Sequence, residues 1–262
     1  MYSFWFLLCA LLLLQTAHGQ LASETEELEI EGRTKFDDYL REVMEFLRLQ
    51  MPCGYAPAGI PPLVPLYAPY REVEWITSKS EIRGNVTELT VTGLDEFDIR
   101  ELHYNNLLRR VRYDLNFPEI LFTGDYKTDI ITKLFGPKVH VYGDGELHLT
   151  LKNLRIYGSF IVRPKASGTM KLTKFKATTE LGGVESKWTG IMNSPTMAKF
   201  FNAWIEEFIN QTFNDSEEEV DAALQRWFVP LATKALDEVS VIGLVALMLG
   251  VIEGTLPQET LC

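Results

Sequence analysis

The stretch Arg110-Val111-Arg112-Tyr113-Asp114-Leu115-Asn116-Phe117 alternates polar and apolar side chains without a break. Successive side chains of an extended chain point to opposite faces, so this period of two predicts a strand with Val111, Tyr113, Leu115 and Phe117 facing inward. The pattern returns downstream, where Leu147, Leu149 and Leu151 alternate with Glu146, His148, Thr150 and Lys152. Leu154 and Ile156 continue it shifted by one residue, as a β-bulge would. Gly143-Asp144-Gly145, Ser167-Gly168 and Gly182-Gly183 read as turns between runs. From about Val73 to Met192 the expectation is a long antiparallel meander with one apolar face, and no strand–helix alternation suggests a parallel sheet.

Helices flank that region. Residues 34–50 place Phe36, Tyr39, Leu40, Val43, Met44, Phe46 and Leu47 three and four apart, the period of an amphipathic helix, which Pro52, Gly54 and Pro57 end. The connector Gly59-Ile60-Pro61-Pro62-Leu63-Val64-Pro65-Leu66 is too rich in proline for a helix or central strand and reads as extended chain against the body. On the other side, Ser194-Pro195 is an N-cap followed by a first-turn proline. Met197, Phe200, Phe201, Trp204, Ile205, Phe208 and Ile209 give the next helix a broad apolar face. Ser216 and Glu219 form a capping box for a last helix carrying Val220, Ala223, Leu224, Trp227, Phe228, Leu231 and Leu236, with Pro230 as an expected kink. Three apolar helices and no second sheet imply an α+β fold, a curved antiparallel sheet wrapped on helix.

The ends of the chain speak to location. Phe4 to Leu14 is an unbroken apolar run of 11, too short to span a bilayer comfortably, and Ala17-His18-Gly19 offers a small-x-small cleavage site. Residues 1–19 therefore read as a secretory signal peptide and 20–238 as the folded domain. Residues 239–262 read as an apolar C-terminal extension. Cleavage would leave Cys53 and Cys262, which either pair or remain two thiols. Asn85, Asn210 and Asn214 head N-glycosylation triplets. The uncharged run Val239–Ile252 falls short of a membrane span and reads as a buried or partner-facing helix.

Composition and motifs narrow the chemistry. With 25 Lys plus Arg against 36 Asp plus Glu, a net charge of −11, the chain lacks the basic footprint of a nucleic-acid binder. It has no G-x-S-x-G elbow, H-E-x-x-H, C-x-x-C or phosphate-cradling glycine loop. His140 and His148, expected to flank the Gly143–Gly145 turn, make at best a weak metal pair, and solvent-facing positions explain them better. Arg109, Arg110 and Arg112 read as a charged outer strand face. Enzyme, metal and cofactor readings are not favoured.

The helix followed by Gly59–Leu66 and a long meander resembles the arthropod takeout and juvenile-hormone-binding protein family. The last helix, with Trp227-Phe228-Val229-Pro230-Leu231, is also similar to the mite group 7 allergens. The resemblance covers roughly residues 34–238. It implies a TULIP-like single super-roll, in which a long curved sheet wraps one long C-terminal helix around an internal apolar tunnel. It also implies secreted, extracellular carriers of terpenoid hormones, fatty acids or other lipids. Members usually carry a cysteine pair ahead of the first helix; this chain has Cys53 after it, and residues 239–262 extend past the usual end, so the ligand type is not carried over. The expected tunnel wall is Phe200, Trp204, Phe208, Trp227 and Leu231 from the helices with Tyr113, Leu115, Leu149 and Leu151 from the sheet. The other reading is a secreted interaction or innate-recognition protein, meeting a protein or membrane through residues 239–252.

Overall fold

A computed structural model describes residues 36–54, 60–76, 80–105, 108, 110–133, 138–215 and 217–238, with positions 240, 242–243, 246, 249–250, 253–255, 260 and 262 of the tail. The signal-peptide reading, Gly59, Arg109, Ser216 of the capping box and much of Val239–Ile252 lie outside the described residues. Helix α1 spans 36–50. Strands β1 (Leu66–Ile76), β2 (Ser80–Thr92), β3 (Asp98–Asn105), β4 (Arg110–Lys133), β5 (Lys138–Pro164) and β6 (Met170–Trp188) follow. Helices α2 (Pro195–Asp215) and α3 (Glu217–Glu238) complete the order. All strand pairs are antiparallel in one sheet of order β1-β2-β4-β5-β6, with β3 beside β4. The sheet-and-helix architecture is the α+β arrangement expected from the periodicity.

Three strands are very long, and their length divides the molecule. β4 is paired with β5 from Arg110↔Ile161 to Lys133↔Lys138. Its other side is shared by β3, on residues 110–116, and β2, on residues 121–132. Between these stretches the inward residues change parity. In β4 the inner face passes from Tyr113 and Phe117 to Ile120 and Tyr126, in β5 from Leu147 and Leu151 to Leu154, and in β6 from Ala177 and Leu181 to Val184. The ladder puts Pro118, Asn153 and Gly182 on one rung. Asn153 takes a left-handed φ of 49°, and a Cβ on Gly182 would lie 2.8 Å from the Asn153 Cβ. A proline without a donor, a left-handed asparagine and a glycine thus flip the pleat of three strands together, making a crease.

Two of the expected turns are not turns. β5 runs straight through Gly143–Gly145 and β6 through Gly182–Gly183. These glycines mark close approach instead: a Cβ on Gly143 would meet the Tyr126 ring and hydroxyl, and one on Gly145 would meet Thr189. His140 and His148 accordingly lie on one strand, not across a hairpin, and among the described residues no His, Cys, Asp and Glu cluster could hold a metal. Ser167-Gly168 is a true turn, closed by Lys165 N–H to Thr169 O at 2.8 Å.

Helix side chains engage the outer edges of β3 and β6. Arg41 and Arg48 of α1 donate to the Ile99 and Phe97 carbonyls, and Asp37 accepts from the Tyr104 N–H and lies 2.7 Å from His103 Nδ1. Along β6, Asn202 accepts from the Trp188 N–H, Glu206 from the Ser186 N–H and Asp221 from the Thr179 N–H. Satisfying edge amides with helix side chains removes a template for edge-to-edge aggregation. The expected N-cap is present, Ser194 Oγ accepting from the Met197 N–H at 3.4 Å, and α3 continues through Pro230.

Candidate functional site

The crease separates an α2 half from an α3 half, and the two are filled differently. In the α2 half Tyr126, Ile130, Val141, Leu147, Ile191, Phe201 and Ile205 form one buried cluster. Aromatic rings run through it in sequence: Tyr126 to Trp188 at 4.5 Å, Trp188 to Phe201 at 5.6 Å, Phe201 to Trp204 at 5.4 Å and Trp204 to Phe208 at 5.3 Å. A smaller cluster of Val91, Ile120 and Leu154, with Leu151 and Phe213 packed on it, lies at the crease.

The α3 half also holds an aromatic set, with looser occupancy. Tyr113 lies 5.9 Å from Phe160 and 6.2 Å from Phe175, and Phe175 lies 5.0 Å from Phe228 of α3. Only Tyr113 of these four is buried; the three phenylalanines keep part of their surface accessible. No described side chain of α3 is fully buried, whereas α2 buries Phe201 and Ile205. Polar groups sit inside this half as well. The Tyr113 hydroxyl donates to the Lys176 carbonyl at 3.1 Å, and Asp221 Oδ1 accepts from the Thr179 N–H at 3.1 Å and hydroxyl at 3.2 Å. Burial, with the Asp221 charge added, pushes the Tyr113 phenol well above its ordinary value, so it stays protonated.

The expected wall residues are distributed over both halves. Tyr113 and Leu115 belong to the α3 half, Leu149 packs on the α2-half cluster and Leu151 on the crease cluster. Trp204 and Phe208 are part of the α2-half stack. The Trp227 and Leu231 side chains lie outside the described residues. Phe200 requires a correction: it is 58% exposed, while its neighbour Phe201 is 3% exposed. Adjacent helix positions differ by about 100°, and the inward stripe is centred on Phe201 and Ile205. Phe160, Phe175, Thr179 and Asp221 were not singled out in the sequence. A register shift at Ser159/Ile161, with Lys174 at φ 53°, scrambles the alternation that would have marked the two phenylalanines.

Elsewhere, Cys53 and Cys262 are bonded, with Cα atoms 5.5 Å apart, which ties the chain's last residue to the end of α1. Asn214 is exposed, and Asn85 and Asn210 are half-buried. A groove of about 780 Å³ runs between Ser186–Gly190 and the first turns of α2, but its Asn202 and Glu206 are engaged with the β6 edge. No helix among the described residues is long and apolar enough to cross a membrane.

Comparison with known proteins gives this architecture relatives. The crystal structure of Epiphyas postvittana Takeout 1 is similar with a TM-score of 0.59 at 14% identity, over 77% of this chain and 92% of that one. A lipopolysaccharide binding protein structure matches at a TM-score of 0.32 and 16% identity, over 62% of this chain and 34% of that one. Among curated protein sequences no relative matches. The family model described as haemolymph juvenile hormone binding protein (JHBP) matches residues 7–245, nearly the whole chain. A match of that span, on a six-stranded roll closed by two C-terminal helices, makes this chain a member of the haemolymph juvenile hormone binding protein family.

Proposed function

We propose that this protein is a secreted, extracellular carrier of small hydrophobic ligands, held in an apolar tunnel of the α3 half. The observation that carries the reading is the ring series Phe160, Tyr113, Phe175 and Phe228, which links sheet to helix while its three phenylalanines remain only half-buried. In the α2 half the equivalent space is filled by the protein's own rings. Family membership supports the ligand class, since juvenile hormone is an apolar terpenoid. Tyr113, Leu115, Trp227 and Leu231 are the proposed wall residues from the original set. Removing a 15-carbon chain from water contributes up to about 12 kcal/mol at roughly 0.8 per methylene. Association costs of about 4–15 kcal/mol reduce that to ordinary carrier affinities. No acid, base or nucleophile is needed, and we read the protein as a binder, not an enzyme. The apolar leader at residues 4–14 and the Cys53–Cys262 bond fit an oxidising, extracytoplasmic location, where Asn85, Asn210 and Asn214 would be glycan acceptors.

Native mass spectrometry of protein secreted from a eukaryotic host, followed by solvent extraction, tests the carrier reading. A reproducible bound lipid released on denaturation is expected. A clean apo mass, with no uptake of fatty acids, terpenoids or fatty alcohols, would overturn it. One observation favours the interaction reading as a second function: Ile242 of the tail is 81% exposed and Leu249 48%. Substituting both with Asn should then abolish a partner or vesicle contact and leave ligand affinity unchanged.

A further inference from the structure

Charge is spread unevenly over this acidic chain. Ser159 to Lys176, the end of β5 and the start of β6, carries five Lys and Arg and no Asp or Glu, although the whole chain has 36 acids against 25 bases. The ladder sorts these cations, with two from β4, onto one side. Arg112, Ser159 and Lys176 share a rung, Arg110, Ile161 and Thr173 the next, and Arg163 stands opposite Lys171. Tyr113 faces inward, so its neighbour Arg112 and the residues in phase with it lie on the outer face. Arg112, Arg163, Lys171 and Lys176 are exposed, as is Lys174 on the register shift, and Arg110 is half-buried. None of these six cations has an ion pair among the described residues, whereas elsewhere on the sheet Arg83, Lys127, Lys152 and Arg155 are each matched by a carboxylate. With about 6.8 Å between alternate residues and about 4.8 Å between strands, the field measures roughly 14 by 10 Å at the backbone. It stops toward the crease, where Arg155 meets Asp114 and Glu180.

We infer that the outer face of the α3 half docks a sulfated polysaccharide, an extended polyanion of the extracellular surface. Charge complementarity selects the class: a guanidinium fork meets two oxygens of one oxyanion, and cations spread over one face engage successive sulfates of a single chain. Each contact releases counterions from the polyanion, so individually weak contacts sum. The large apolar residue on these rungs, Ile161, is 4% exposed, so the face has nothing to insert into a bilayer. In the extracytoplasmic location of the carrier reading, on which this choice rests, the anionic cytoplasmic leaflet is out of reach. These rungs also carry no aromatic side chain on which nucleic-acid bases would stack. The field lies on the sheet face opposite Tyr113, so docking and ligand carriage use separate surfaces.

The test uses protein collected from the medium of a eukaryotic secretion host and titrated with heparin from about 0.15 M salt upward. Wild type should bind despite its net charge of −11, with affinity falling steeply as salt rises. Arg163→Gln with Lys171→Gln should weaken binding about tenfold or more and flatten the salt dependence. Lys187→Gln with Lys199→Gln removes the same charge from two exposed residues of the α2 half and should change affinity less than about twofold. Equal losses in the two pairs would reduce the effect to net charge and overturn the inference, as would wild type that does not bind. Tighter binding to unsulfated hyaluronan, duplex DNA or phosphatidylserine vesicles than to heparin gives the face another partner and also overturns it. These wild-type comparisons decide the matter even if a variant does not fold. Absence of the chain from the medium is a different failure, and it removes the location on which the choice of a polysaccharide rests.

Discussion

The α2 half and the α3 half are built from the same three strands, yet one is closed by its own side chains and the other is not. Tyr126, Trp188, Phe201, Trp204 and Phe208 stack in an unbroken series and leave Phe201 3% exposed. Across the crease, Tyr113 meets Phe160 and Phe175, and Phe175 meets Phe228, at similar centroid distances without any of the phenylalanines becoming buried. Aromatic content therefore does not distinguish a core from a binding wall. The residue accessibility left after packing does separate the halves, and the proposed carrier reading places ligand in the less filled one.

That division of labour can be broken by substitution. The largest effect is expected at Phe201→Ala, where a nearly fully buried ring leaves a cavity costing about 3–5 kcal/mol in urea unfolding. Probe affinity of the protein that remains folded should stay within about twofold of wild type, because the ring lies outside the proposed tunnel. A loss of affinity matching the loss of stability would mean that the halves are one unit. Next, Gly182→Ala drives a methyl group to 2.8 Å from the Asn153 Cβ, and overpacking of this kind costs about 1–3 kcal/mol. Asn153→Gly in the same chain should recover most of it, and no recovery would show that the clash is not the cause.

Phe228→Ala reverses the pattern of Phe201→Ala. Its half-buried ring should contribute only about 1 kcal/mol to stability, while probe binding weakens about tenfold. Trp204→Ala, in the stacked half, provides the control: a larger probe defect there than at Phe228 would move the ligand across the crease. The smallest expected effect concerns alkaline pH. Burial and then the Asp144 charge push the Tyr126 phenol up to about 12, and its hydroxyl donates to the Thr189 carbonyl at 2.5 Å. A phenol raised in the folded state holds its proton more tightly there than in the unfolded chain. Its stabilising contribution is complete below pH ~10 and is lost as pH rises toward about 12. Tyr126→Phe should lose about 1 kcal/mol at neutral pH and show a shallower fall across that window. Ligand should leave the Tyr126 titration unchanged and raise that of Tyr113 further; a shift at Tyr126 instead would contradict the assignment.

Much of the architecture was legible because local rules and tertiary structure agree. The alternation at Arg110–Phe117, the phase change before Leu154, the Ser194-Pro195 cap and, over its described residues 36–50, the first helical periodicity all reappear as elements. Glycines misled where the chain uses them for closeness: Gly143 admits the Tyr126 hydroxyl, and turn chemistry cannot be told from close approach without the partner strand. The site was half legible. Tyr113 stood out by parity, whereas Phe160 and Phe175 sit beside a register shift that destroys parity. Asp221 looked like any carboxylate on the polar side of a helix, and only the position of Thr179 on a strand edge gives it a role. Phe200 and Phe201 illustrate the limit of a broad apolar run, in which periodicity names the face but not its boundary.

The crease carries one more consequence, for how such a protein can change over time. Because Pro118, Asn153 and Gly182 switch parity on the same rung, the inward sets of the two halves are independently phased. A one-residue insertion or deletion in a single strand would turn every side chain beyond it to the wrong face. Substitutions confined to the α3 side, by contrast, alter the tunnel without disturbing a packed residue on the other side. The rung acts as a firewall, under which ligand preference can drift while the packed cluster of the α2 half stays as it is.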